Sequence, residues 1–307
     1  MIFAKSAVFV IRLAAGIVLN KRLLICFRKY IFLIAYMEKT IDSNEAKKIQ
    51  IDIMSSIFSF CKENGLKCSL YAGTLIGAVR HKGFIPWDDD IDLLMPREDY
   101  EVFRKTFFDK NCPFYRVNHF ETTKGYAFPF VKVSDDRTIQ QESVLRGIDI
   151  GLHVDVFPLD GCANNIVFWY IQSFILRVLK LCATLSCTKE KRNGKRLMWK
   201  KILIGVFKVC FGWIPTNLFL KSVDFFAKMF SWQKVNYAGN LSWGYGLKER
   251  VPSRFYEGSV PQIFEGKEFL SIAGYDGYLR CIYGDYLKLP PIEKQVRNVH
   301  VFSSRWK

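Results

Sequence analysis

The clearest periodicity in the chain follows Asp42 and Ser43. Ala46, Ile49, Ile53, Ile57 and Phe60 recur every three or four residues, the spacing of one helix face. Asp42 or Ser43 can cap its start, and Gly65 can end it. Cys68–Ala72 reads as a short buried strand, Gly73-Thr74 as a turn, Leu75–His81 as a short helix and Gly83–Trp87 as a loop. Asp90–Met95 predicts a strand stopped by Pro96. Arg97–Phe108 predicts a helix with Tyr100, Phe103 and Phe107 on one face. Phe128–Val133, Thr138–Gln140 and Val154–Phe157 read as further strands, and Tyr275–Tyr283 as a helix. Interleaved helices and strands of this kind predict an α/β domain built on a mixed sheet.

Three long apolar runs follow Asp160: Ile166–Lys180, Met198–Trp213 and Leu218–Trp232. A polar, basic stretch, Thr188–Arg196, separates the first two. The expected organisation is a basic segment at 1–37, a core at 38–160, a basic helical region at 161–235, and a part at 236–307 that completes the core domain.

Composition excludes a disordered chain, since half of the 307 residues are hydrophobic and 16% are aromatic. Nine cysteines without a C-x-x-C pair read as reduced, mostly buried thiols rather than a disulfide or zinc framework. The net charge of +16 is unevenly placed. Residues 1–37 carry six basic and no acidic side chains, and residues 161–230 carry twelve basic and two acidic ones. The remaining 200 residues are balanced, with 27 of each sign. The surplus therefore belongs to two apolar attachments, which favours an anionic membrane surface over nucleic acid. Basic residues interrupt the apolar stretch before Tyr36, so a surface-lying segment is expected there rather than a span. The competing reading is helices packed on the protein with a basic outer face.

The densest chemistry is Trp87-Asp88-Asp89-Asp90-Ile91-Asp92. Strand alternation puts Asp90 and Asp92 on one face, where two carboxylates stay ionised most easily around a hard cation such as Mg²⁺ or Mn²⁺. Asp88 and Asp89 read as a solvated turn. Gly73-Thr74, between a strand and a helix, suits a phosphate. Asp155, flanked by hydrophobes in a strand, is a third carboxylate: a metal ligand, a base for an acceptor hydroxyl, or a structural hydrogen-bond partner.

The glycine turn, the Asp-x-Asp pair and the later apolar-Asp-apolar triplet resemble the nucleotidyltransferase-fold superfamily. The longer run from Tyr71 to Tyr100, YAGTLIGAVRHKGFIPWDDDIDLLMPREDY, resembles the LicD family, which includes bacterial phosphorylcholine transferases and fukutin-type enzymes. Val154–Gly161 and Tyr283–Pro291 resemble its other blocks. The resemblance implies a nucleotidyltransferase-like core with an inserted basic helical region. It also implies transfer of a phospho-alcohol, typically phosphocholine from CDP-choline or another CDP-alcohol, onto a hydroxyl of lipopolysaccharide, teichoic acid or capsule, with release of CMP. Asp90, Asp92 and Asp155 would then be the metal-binding and catalytic carboxylates. Gly73 and Thr74 would contact phosphate, and Arg80, His81, Lys82 and Lys132 would supply cations. Trp87 would stack on a base or on the alcohol's ammonium, and Arg297 and His300 would close over the site. The implied location is cytoplasmic, peripheral to the inner membrane face, near a lipid-linked or nascent acceptor. Which alcohol is transferred stays open, because Trp87, Tyr126, Trp243 and Tyr245 are too many candidate aromatics to decide it. Two other functions stay open too: a metal-dependent glycosyltransferase using a nucleotide sugar, and a non-catalytic membrane adaptor.

Overall fold

A computed structural model describes residues 40–140, 148, 150–187, 198–295 and 304–307. The basic segment 1–37, the polar stretch Thr188–Arg196, and Arg297 and His300 lie outside them.

The elements run in the order β1 (Thr40–Ile41), α1 (Ser43–Glu63), β2 (Ser69–Leu70), α2 (Ala72–His81), β3 (Asp92–Pro96), α3 (Arg97–Thr106), β4 (Tyr115–Asn118), β5 (Val131–Asp135), β6 (Thr138–Gln140) and β7 (His153–Cys162). Three helices follow, α4 (Ile166–Cys187), α5 (Met198–Phe211) and α6 (Thr216–Ala227). Then come β8 (Tyr237–Gly239), β9 (Val251–Pro252), the hairpin β10 (Ser259–Phe264) and β11 (Lys267–Ile272), α7 (Tyr275–Tyr283) and β12 (Ser304–Trp306).

The main sheet is mixed, with strand order β10-β11-β2-β3-β7-β5-β4. β3 and β7 form its parallel centre, with β2 and β5 antiparallel on either side. These two strands lie in the middle because Leu93-Leu94-Met95 and Val154–Leu159 contain almost unbroken apolar runs, which need cover on both faces. β8 extends the sheet from the far end of β7, and β1, β12 and β6 make a small second sheet. The mixed α/β architecture is the one the sequence pattern implies.

The helix after Asp42 forms as its periodicity requires. The Asp42 carboxylate accepts the backbone N–H groups of Asn44 and Glu45 at 2.7 and 2.8 Å. Its buried face then packs Ile49, Ile53, Met54 and Ile57 under the sheet. Gln50, on the same face, donates to the carbonyls of Asp89 and His153, tying the helix to the segments that carry the acidic residues.

Between β2 and β3 the structure departs from the expected order of elements. No turn intervenes at Gly73-Thr74, because the helix α2 already begins at Ala72. The reversal is concentrated in Ala72 itself, whose φ of +45° is a left-handed conformation that a residue with a Cβ rarely adopts. The chain after α2 then folds back along the helix. A Cβ on Gly77 would stand 2.4 Å from the carbonyl oxygen of Gly83, so this close approach requires glycine. The return path delivers Asp88–Asp92 to the start of the helix.

α4 and α6 pack on each other around Trp169, Leu176, Val223 and Ala227, forming a small core beside the end of β7. Arg97, at the start of α3, pins this region to the sheet. It grips both oxygens of Asp160 in β7 at 2.6–2.7 Å and reaches Asp224 of α6 at 2.7 Å.

Candidate functional site

The site forms where β3, β7 and β5 run side by side. Strand register places Asp92 opposite Asp155, and Asp155 opposite Lys132. Residues directly opposite in neighbouring strands project to the same face. The sheet therefore carries a row of carboxylate, carboxylate and ammonium.

Lys132 closes one end of this row. Its Nζ donates to both oxygens of Asp155 at 2.9 and 3.0 Å and to Nε2 of His153 at 2.7 Å. The opposite ring nitrogen of His153, Nδ1, lies 3.0 Å from the carbonyl of Gly151. That pairing places the proton on Nδ1 and leaves Nε2 as an acceptor for the lysine. The lysine is almost fully buried, and its ammonium also lies over the rings of Phe128 and Phe130 at 4.9 and 5.5 Å. A lysine so placed persists because its charge is paired.

The other end of the row is strongly negative. Burial pushes the Asp92 carboxyl well above its ordinary range, and the negative charges of Asp90, Asp155 and Asp88 push it further, against the opposing influence of Lys132. The backbone of Asp92 is hydrogen-bonded at both its N–H and its carbonyl. Its N–H donates to the Thr74 hydroxyl at 2.8 Å, and its carbonyl accepts the N–H of Tyr71 at 3.0 Å. Asp88 packs against the start of α2, where a Cβ on Gly73 would come within 2.8 Å of a carboxylate oxygen. Burial raises the Asp88 carboxyl as well.

Several residues sit differently from their sequence expectations. Asp89, read as part of a solvated turn, is buried, and its carbonyl receives Gln50. Asp88 is half-buried against Gly73 rather than solvated. Asp90 precedes β3 instead of lying in it, so strand alternation does not orient it; the loop that returns from α2 does. Thr74 spends its hydroxyl as an acceptor for Asp92. Arg80, His81 and Lys82 all lie at the far end of α2 from Gly73. Arg80 donates to the carbonyl of Tyr286 at 2.6 Å, Lys82 is the left-handed cap of the helix, and His81 meets the Trp87 ring edge-on.

A further group was not legible in the sequence. Glu249 is fully buried and organises the 240–245 loop. Its carboxylate accepts the N–H groups of Asn240 and Tyr245 and the Tyr71 hydroxyl at 2.8–3.3 Å. That loop carries Trp243, packed against Phe128 and Phe130, and Tyr245, whose hydroxyl lies 2.7 Å from that of Tyr283. Burial and the nearby charges of Asp92 and Asp90 raise the Tyr245 phenol to about 12. An aromatic wall thus stands beside the carboxylate row. Only the excess of aromatics hinted at it.

The segment that carries this row matches a known family. Residues 65–171, which hold all of α2, β3, β5 and β7, match the family described as LicD/FKTN/FKRP, nucleotidyltransferase domain. The chain is 31% identical over 261 residues to the lipopolysaccharide cholinephosphotransferase LicD of Haemophilus influenzae, covering 84% of this chain and 96% of that protein. The chain belongs to the LicD family. Shorter matches link it to uncharacterized proteins of Rickettsia typhi, 32% identical over 30% of each chain, and Rickettsia prowazekii, 33% identical over 24% of this chain and 32% of that one. Within this LicD-family chain, the matched segment and the charged row coincide.

Among the described residues, no group of three or more His, Cys, Asp or Glu side chains is placed to hold a metal ion by itself. Asp90 and Asp92 are the carboxylate pair at the end of the row away from Lys132, which donates to both oxygens of Asp155. Such a pair fits a hard divalent ion of the kind that takes one or two carboxylates and completes its shell with water and substrate phosphate. Burial and then the charges of Asp90, Asp155 and Asp88 raise the Asp92 carboxyl, so a cation beside it would favour its ionised form.

Proposed function

We propose that this LicD-family protein transfers phosphocholine from CDP-choline to a hydroxyl of a cell-surface glycan of the lipopolysaccharide type, releasing CMP. One observation carries the reading: the Asp92–Asp155–Lys132 row, with Asp90 beside it, lies in the segment shared with a family whose Haemophilus member is a lipopolysaccharide cholinephosphotransferase.

Asp90 and Asp92 would hold Mg²⁺ or Mn²⁺, which supplies charge neutralisation for the donor diphosphate. The start of α2 offers backbone N–H groups beside the row, next to the Asp88 carboxylate that packs on Gly73. Asp155, fixed in position by Lys132, is the base for the acceptor hydroxyl. His153, with its proton on the side away from Lys132, keeps that lysine aimed. Trp243 and Tyr245 wall the site and limit the access of water to the reacting phosphorus.

The helical region supports a peripheral place on the cytoplasmic face of the inner membrane. α4 is long and apolar enough to cross a bilayer. One face of it, however, is packed on the protein through Trp169, Gln172, Ser173 and Leu176, and Arg177 and Lys180 interrupt it. Its other face exposes Val167, Ile171, Phe174, Val178 and Leu181, spaced three or four residues apart. That is the arrangement of a helix lying flat on an anionic lipid surface. Exposed Lys208 and Lys221 on the neighbouring helices supply the matching charge.

A donor panel tests the reading. Purified protein with Mg²⁺ and lipopolysaccharide is expected to release CMP from CDP-choline and to leave UDP-sugars intact. Consumption of a UDP-sugar instead would assign the site to glycosyl transfer.

A further inference from the structure

Behind the aromatic wall lies a cavity of about 400 Å³, between α4 and the 240–246 loop. Trp169, Ser173, Arg177 and Lys180 line it from the helix, and Trp243 and Tyr245 from the loop. The last two also border the reaction centre: Trp243 packs on the phenylalanines beneath Lys132, and the Tyr245 phenol feels the charges of Asp90 and Asp92. Trp243 and Tyr245 are therefore shared between the wall of the cavity and the surroundings of the carboxylate row.

The charge of the cavity differs from that of the site. No acidic residue is among those lining it. Arg177 is exposed, lies beside Gly246, and has no hydrogen-bond or ion-pair partner among the described residues. Lys180 donates to the carbonyl of Leu241 at 3.1 Å. Burial lowers its ammonium to about 8, with the buried Glu249 opposing that shift, so it is mostly protonated at neutral pH. Two cations repel a quaternary ammonium, so this is a poor place for choline. Indole and phenol rings beside cations suit a sugar that carries an anionic group: the rings take the sugar face, and the guanidinium takes the anion. The same helix turns its other side outward as the apolar stripe of Phe174 and Val178.

We propose that the cavity between α4 and the 240–246 loop is the acceptor subsite, and that it takes a phosphate-bearing sugar. Its assignment to an acceptor rests on the transferase reading above. Calorimetric titration of the full chain with N-acetylglucosamine 1-phosphate, N-acetylglucosamine and inorganic phosphate tests it. The sugar phosphate is expected to bind at least ~10-fold more tightly than either the neutral sugar or phosphate. Arg177→Ala, an exposed change that spares the fold, should remove that advantage, and saturating CMP should leave it intact. Equal binding of the neutral sugar or of phosphate would overturn the proposal, as would an unchanged affinity in both Arg177→Ala and Lys180→Met. Displacement by CMP would assign the cavity to the donor and overturn it too. Failure of wild-type protein to use CDP-choline would sink the transferase reading without altering the binding result, so the two failures are separable.

Discussion

Lys132 shows how much depends on a single side chain. Its ammonium is the cation that the row supplies from within, and it holds Asp155 at both oxygens. Lys132→Met leaves that carboxylate and His153 without their partner in a largely buried place. Loss of one member of a buried pair destabilises by about 3–5 kcal/mol, so a clear fall in the denaturant midpoint is expected along with loss of transfer. His119 makes a separate prediction on pH. It is buried beside Phe120, with the Glu121 N–H donating to its Nδ1. Burial first, and Arg104 second, lower it to about 4 from an ordinary 6.5. The unfolded chain therefore binds a proton that the folded chain refuses between those values. Stability should fall as pH drops from 6.5 toward 4, by on the order of 3 kcal/mol from this group. His119→Gln should flatten that part of the acid limb, measured as denaturant midpoint against pH; an unchanged limb would remove His119 as its source.

At the scale of elements, the Arg97 cluster predicts how the helical region is attached. Burial would raise the Asp224 carboxyl, yet Arg97 and Lys228 hold it below its ordinary value. Arg97→Leu strands Asp160 and Asp224 near the junction of β7, α3 and α6. Amides of α4 and α6 are then expected to exchange hydrogen ~100-fold faster, while those of β3, β5 and β7 keep their protection. Uniform acceleration would mean that the cluster supports the whole domain instead. Much of this scale was readable beforehand. The helix after Asp42, the strand Thr138–Gln140 and the helix Tyr275–Tyr283 follow from periodicity and capping, which are local. The start of α2 differs from the local pattern because Ala72 adopts a left-handed backbone that no propensity favours. The burial of Asp89 and the bond from Gln50 to its carbonyl arise from packing against a helix far away in sequence, which local pattern does not encode. The pairing of Lys132 with Asp155 and the role of Glu249 depend on strand register and on contacts across more than a hundred residues, which alternation alone does not encode.

For the whole molecule, the uneven charge and the exposed face of α4 make one prediction together. The full chain should sediment with anionic vesicles and be released as salt rises. Phe174→Glu with Val178→Glu places two acids in the apolar stripe, away from the carboxylate row, and should weaken that association at least ~10-fold. Unchanged sedimentation would show that α4 does not carry the contact.

The central claim concerns chemistry at the row, and label transfer tests it most directly. Protein, Mg²⁺, lipopolysaccharide and CDP-choline labelled in the choline are incubated, and the label in the glycan is counted. Wild-type protein should move the label, and Asp92→Asn, folded as judged by its melting curve, should lower the rate by ~100-fold or more. Equal transfer by the two proteins would contradict the account.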